Sequence, residues 1–252
     1  MEAPKSDVAP AQPKGHLMYF HALSGRAEPI NFVLRLAKVD YKYETFTLQD
    51  FSNPESDYHK KKAAGEFSTF AASGGGLPIY MEGGKKFFES NAILRFLGAR
   101  HGFYSTDPET MWEIDVCMEK AEQVIGHAGI APHSHYCFAR IGQASGAGDG
   151  PTQEQTVNCF AMYEEHCNWG EAQLTKHGKA FLAGTDTPTI ADFRYIAYLC
   201  DSVYNDGEAS MLGAEMQARV KAVIDTKPAL KKWIEVSMAE VLKDVHTPGL
   251  MW

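Results

Sequence analysis

Hydrophobic and polar residues change period along this chain, and the changes divide it into elements. Leu17 to His21 has no clean polar face, which predicts a short strand buried on both sides. From about Arg26 to Lys38, Ile30, Val33, Leu34 and Ala37 recur at i, i+3, i+4 and i+7, the stripe of a helix facing a sheet. Pro29 falls in its first turn, where a missing N–H costs little. Tyr41 to Thr47 alternates and is rich in aromatic and β-branched residues, a second strand. Strand, helix, strand at this spacing is a βαβ unit with a right-handed crossover. Asn53 to Gly76 is polar and then Gly/Ser-rich, which predicts one short helix and a long loop. Leu77 to Glu82 and Lys85 to Phe88 are strands joined by Gly83-Gly84, a hairpin turn signal. A helix follows from Ser90 to about His101, burying Ile93, Leu94 and Leu97. The first half reads β-α-β-α-β-β-α, an α/β domain over 16–102.

Strand signals then stop. Asp107-Pro108-Glu109 is a helix start, and Ile114, Cys117, Met118, Ala121, Ile125 and Ala128 continue it as a long stripe. Arg140 to Thr152 has the composition of a loop. Helical patterns resume from Gln153 to Lys176, Thr189 to Tyr204, Met211 to Ile224 and Pro228 to Leu242. The second half, 107–245, is predicted all-helical, without internal repeat.

Composition changes this picture only at its edges. Residues 1–15 are rich in Pro and Ala and lack an apolar signal core, so they read as a disordered tail. No apolar run approaches the roughly 20 residues of a spanning helix. A formal charge of -8 argues against nucleic acid or anionic lipid as a partner. Five cysteines, an odd number with no C-x-x-C pair, fit a reducing, cytoplasmic setting better than a disulfide framework.

Three stretches carry candidate chemistry: Tyr19 with Ser24-Gly25-Arg26-Ala27-Glu28, Leu77-Pro78 followed by Glu89-Ser90-Asn91-Ala92-Ile93, and Thr189-Ile190-Ala191-Asp192-Phe193. The chain resembles a cytosolic glutathione transferase of the tyrosine type, nearest the sigma and mu classes. The likeness rests on Y-F-x-x-x-x-G-R-A-E, L-P, E-S-N-A-I-x-R-F-L and T-x-A-D-F in that order, over about Leu17 to Leu242. It implies a thioredoxin-like first domain that binds glutathione as co-substrate, and a helical second domain with a pocket for a hydrophobic electrophile. It also implies a homodimer. Sigma-class relatives extend the reading to isomerases, and recruitment of the fold as a scaffold without turnover is the alternative.

The chemistry at Tyr19 is thiol activation. A free thiol has a pKa of about 8.5, and the thiolate is the nucleophile. A neutral phenol, pKa about 10, donates a hydrogen bond that stabilises the anion and need not take a proton. The helix after Gly25 adds the positive end of its dipole. A strand tyrosine packed in the core is the competing reading. Ser24 is a rival hydroxyl donor, as in serine-type classes.

By resemblance, Phe20 packs with some ligand contact, and Arg26 acts electrostatically near the thiol. A cis Leu77-Pro78 bond would turn the Leu77 backbone toward a peptide laid alongside, though an ordinary trans edge proline would also fit the sequence. Ser90, at a helix start, suits a carboxylate, and Glu89 an ammonium, the two charges of the γ-glutamyl end; Ser90 as a simple helix cap is the plainer reading. Tyr58 and Lys62 match the glycyl-carboxylate site, with Lys60 and Lys61 competing. Asp115 matches an acid that reaches across a dimer to the neighbour's γ-glutamyl ammonium; a solvated helix acid is the alternative. Thr189 to Asp192 is a capping box with a folding role. His127, His133 and His135 lack a fourth ligand, so no metal is expected.

Overall fold

The computed structural model describes residues 15–20, 26–47, 50, 53–67, 76–125, 132–144, 146–204 and 212–245, and of residues 16–20, 125 and 201 the backbone alone. The expected tail lies outside this set except for Gly15, which is buried and opens the first strand.

The first half runs β1 (Gly15–Phe20), α1 (Glu28–Leu36), β2 (Tyr41–Phe46), α2 (Asp57–Ala63), β3 (Ile79–Glu82), β4 (Lys85–Phe87) and α3 (Ser90–His101). One sheet of order β2-β1-β3-β4 results. β1 and β2 are parallel, while β3 is antiparallel to both β1 and β4. This is the expected thioredoxin-like β-α-β-α-β-β-α unit. Gly83 and Gly84 both take positive φ, 57° and 78°, as the two-residue turn between β3 and β4 requires. α1 is less amphipathic than its stripe predicts: all seven residues from Glu28 to Leu34 are buried. It packs against α3 and against the helix Ile190–Ser202 of the second half.

That second half is α4 (Pro108–Ile125), α5 (Pro132–Ala144), α6 (Gln153–His177), α7 (Ile190–Ser202) and α8 (Gly213–Asp225), then α9 (Pro228–Lys232), a π-helical stretch (Trp233–Met238) and α10 (Ala239–Leu242), which run on unbroken. Asp107 caps α4, its carboxylate accepting from Thr110 N at 2.9 Å. Two expectations need correcting. Arg140 to Ala144 are helical, part of α5, so the loop predicted to start at Arg140 is shortened at that end. Tyr136 and Cys137 are buried, and the Tyr136 hydroxyl donates to the Leu212 carbonyl at 3.2 Å; this packing overrides a loop-like composition. The last helix carries a π turn within its regular apolar repeat, around buried Trp233, Ile234 and Met238.

α7 is the hub. Every residue from Ile190 to Cys200 is buried, and the helix packs on α1, α3 and α4. Phe193 meets the rings of Phe32 in α1 and Phe103 after α3. Gly98 makes the α3 crossing possible: a Cβ there would lie 2.5 Å from Ile190 Cγ2. The fully buried Asp192 carboxylate accepts from Leu182 N, Thr189 N, the Thr189 hydroxyl and Trp233 Nε1, at 2.9 to 3.2 Å. The capping motif therefore has the folding role read from sequence. No helix among the described residues is long and apolar enough to cross a membrane.

Candidate functional site

Tyr19 and Phe20 are the last two residues of β1, paired by backbone with Thr45 and Phe46 of β2. The β1–β3 register joins Met18 to Ile79. Continued one residue further, it runs Tyr19 alongside Pro78, and the Leu77-Pro78 bond is cis. Ser24 lies outside the described residues, as do the side chains of Tyr19 and Phe20. The sheet thus brings the candidate thiol-activating position and the candidate peptide-docking position to one end of two neighbouring strands.

α3 begins at the same end. Glu89 is its N-cap, with φ 65° and ψ 103°, a conformation non-glycine residues rarely hold. Among the described residues no side chain caps this helix, and Ser90 is its buried first residue. The reading of Ser90 as the cap is therefore corrected: Glu89 occupies that position with its side chain unused for capping. The first-turn N–H groups of α3 keep their capacity to receive an anion.

Arg26 is held by an acid that sequence reasoning did not select. Glu122 of α4 takes Arg26 Nη2 on Oε1 at 2.5 Å and Arg194 Nη2 of α7 on Oε2, and Asn91 Nδ2, next to Ser90, reaches Oε2 at 3.5 Å. Asp115 lies seven residues earlier on α4. It accepts from Arg95 Nε of α3 at 2.9 Å and from the Tyr104 hydroxyl at 3.1 Å, so it clamps α3 to α4 within its own chain. One signal in the sequence called for an acid here without saying which: Arg194 is the lone basic residue of α7, IADFRYIAYLCDS, and a cation buried in an apolar helix requires an anion.

The other end is aromatic. Tyr58 is the buried residue of α2; its ring stacks on Phe67 at 5.3 Å and meets Phe46 edge-on at 5.7 Å. Leu77, Met81 and Phe88 pack on this cluster, which ties α2 to the start of β3. Burial raises the Tyr58 phenol above its ordinary value. The structure separates the three lysines. Lys61 pairs with Glu44 at 3.5 Å and Glu66 at 3.3 Å, Lys60 is exposed, and exposed Lys62 places its Nζ 6.0 Å from the Tyr58 ring centre.

The histidines do different work. His133 is a core residue of α5 that shares a hydrogen bond with the Tyr163 hydroxyl at 2.9 Å and has its pKa pulled down by burial to about 4. His135 is exposed, and His127 lies outside the described residues. No three metal-type side chains converge among the described residues.

Comparison with known proteins agrees with this architecture. The family model described as "Glutathione S-transferase, N-terminal domain" matches residues 15–99. "Probable glutathione S-transferase 5" of Caenorhabditis elegans is 30% identical over 167 residues, 66% of this chain and 75% of the relative. "Glutathione S-transferase P 1" of Xenopus laevis is 28% identical over 110 residues, 44% of this chain and 47% of its own, so the match spans about half of that relative. A solved glutathione S-transferase from Pseudomonas fluorescens shares the fold with TM-score 0.61 and 19% identity, over 93% of this chain and 98% of that one.

Proposed function

Because this chain belongs to the glutathione S-transferase family, we propose that it binds glutathione along the first domain and directs the thiolate to a hydrophobic electrophile held between 16–102 and 107–245. One observation carries the reading most directly. Glu89 is held in the left-handed region just ahead of a helix start that no side chain caps among the described residues, with Arg26 beside it through Glu122. Strained backbone of this kind costs about 1–3 kcal/mol and collects at ligand sites. Here it presents Ser90 and the α3 amides to a carboxylate.

In this reading Tyr19 donates a hydrogen bond to the glutathione sulfur and keeps it ionised, with Phe20 beside the tripeptide. Leu77, ahead of Pro78, pairs its backbone with the peptide as an added strand would. Glu89, Ser90 and Arg26 take the γ-glutamyl end, and Tyr58 with Lys62 the glycyl end. The chain acts as a cytoplasmic homodimer, and Asp115, clamped to Arg95 and Tyr104, serves the contact with a second copy.

The test is glutathione affinity together with conjugation of a generic aryl halide. Tyr19→Phe is expected to leave glutathione binding within about threefold and to lower kcat by roughly 100-fold, the scale of a lost positioned donor. Equal turnover in both proteins would transfer the role to Ser24. Binding of glutathione without conjugation in the wild type would leave a scaffold.

A further inference from the structure

We infer that Arg194, fully buried in α7 and far along the sequence from the first domain, is a positioning residue for glutathione, acting through Glu122 on Arg26 and on the start of α3. The inference rests on the functional reading above. Its basis is the division of one carboxylate. Glu122 gives Oε1 to Arg26 and Oε2 to Arg194, with Asn91 also reaching Oε2. The Arg194 side chain has no exposure, that of Glu122 is 21% exposed and that of Arg26 is 33% exposed. The charge therefore runs from a dry core outward to the candidate cleft.

A guanidinium held in the core must keep its anion, because an unpaired buried charge is far costlier than an unpaired surface one. Arg194 consequently fixes the Glu122 carboxylate from behind. Glu122 cannot turn wholly toward solvent or toward Arg26 without abandoning that partner. Its second oxygen then holds Arg26, two residues before α1, and its contact with Asn91 holds the second residue of α3. Four elements meet on one side chain: the approach to α1, the start of α3, and helices α4 and α7. The two helix starts are those proposed to receive the γ-glutamyl end. The cluster also brings two guanidiniums to one carboxylate, which suits an anionic ligand.

Such a residue alters binding of the ground and transition states alike. Its loss should raise KM for glutathione and leave kcat at saturation nearly unchanged. Arg194→Met is expected to weaken glutathione binding about tenfold, the loss of one charge-assisted contact. Arg194→Lys, which keeps the charge but not the planar fork, should recover part of it. Because it keeps a cation beside Glu122, Arg194→Lys carries the same test as a partial loss if Arg194→Met fails to fold. In an Arg26→Met background both effects should largely vanish. A folded Arg194→Met protein with wild-type affinity would overturn the inference, as would an effect that persists undiminished without Arg26. A wild type that binds no glutathione would remove the functional reading alone. The positioning claim would then be decided by NMR of the Arg26 guanidinium. Sharp, slowly exchanging signals that broaden in Glu122→Gln support it, and unchanged signals refute it.

Discussion

Helices α2 and α7 start with the same chemistry and differ in everything else. α2 is capped by Ser56, whose hydroxyl accepts from His59 N at 3.4 Å and donates to the Asp50 carbonyl at 2.6 Å. α7 is started by Thr189 and Asp192, whose carboxylate gathers four donors. α2 buries one residue, Tyr58, whereas α7 is buried from Ile190 to Cys200. A capping motif therefore reports where a helix begins but not what it supports. The difference in load comes from the dry surroundings of Asp192, where each donor left unpaired costs far more than at a surface.

The comparison can be broken at either helix. Asp192→Ala strands four buried donors and should cost on the order of 4 kcal/mol, read from urea unfolding; a loss near that of an ordinary cap would erase the distinction. Gly98→Ala forces a methyl group into Ile190 of α7 and should cost about 2 kcal/mol in the same measurement. Ser56→Ala should cost about 1 kcal/mol, seen as a small fall in Tm. A larger loss would mean that α2 carries more than its single buried residue.

The smallest effect is a matter of pH. Glu28, buried in α1, accepts from Asn31 Nδ2 at 3.1 Å, and burial raises its pKa. The folded state therefore holds this proton to higher pH than the unfolded chain. Glu28 favours folding most below the ordinary carboxyl range, and that contribution is lost as pH rises through the folded pKa. Glu28→Gln should flatten this decline, which thermal unfolding across acidic to neutral pH would register.

Most of the fold was legible because its elements announce themselves locally. The Gly83-Gly84 turn, the α3 bounds and the Thr189-Asp192 start follow from residue type and spacing alone. α5 was not legible, since its helical state depends on Tyr136 and Cys137 finding the core and on a bond to Leu212, far along the chain. At the site, the same limit separates residues from pairings. Arg26, Leu77-Pro78 and Glu89-Ser90 stand in recognisable motifs. Which acid meets Arg26 is decided by the α4–α7 packing, so Glu122 emerges only in three dimensions. Lys60 and Lys61 likewise competed with Lys62 until Glu44 and Glu66 claimed Lys61.

All five cysteines are buried thiols. Burial pushes the thiols of Cys159 and Cys167 up to about 12, and those of Cys117 and Cys137 are raised as well. At pH 7 a thiol with that pKa is ionised to about one part in 100,000. These four thiols are therefore kept mute while the proposed cleft would make a borrowed sulfur reactive. An alkylating molecule entering it would consume the replaceable tripeptide and leave the catalyst unmarked, a separation of reagent from machinery written into where the side chains are packed.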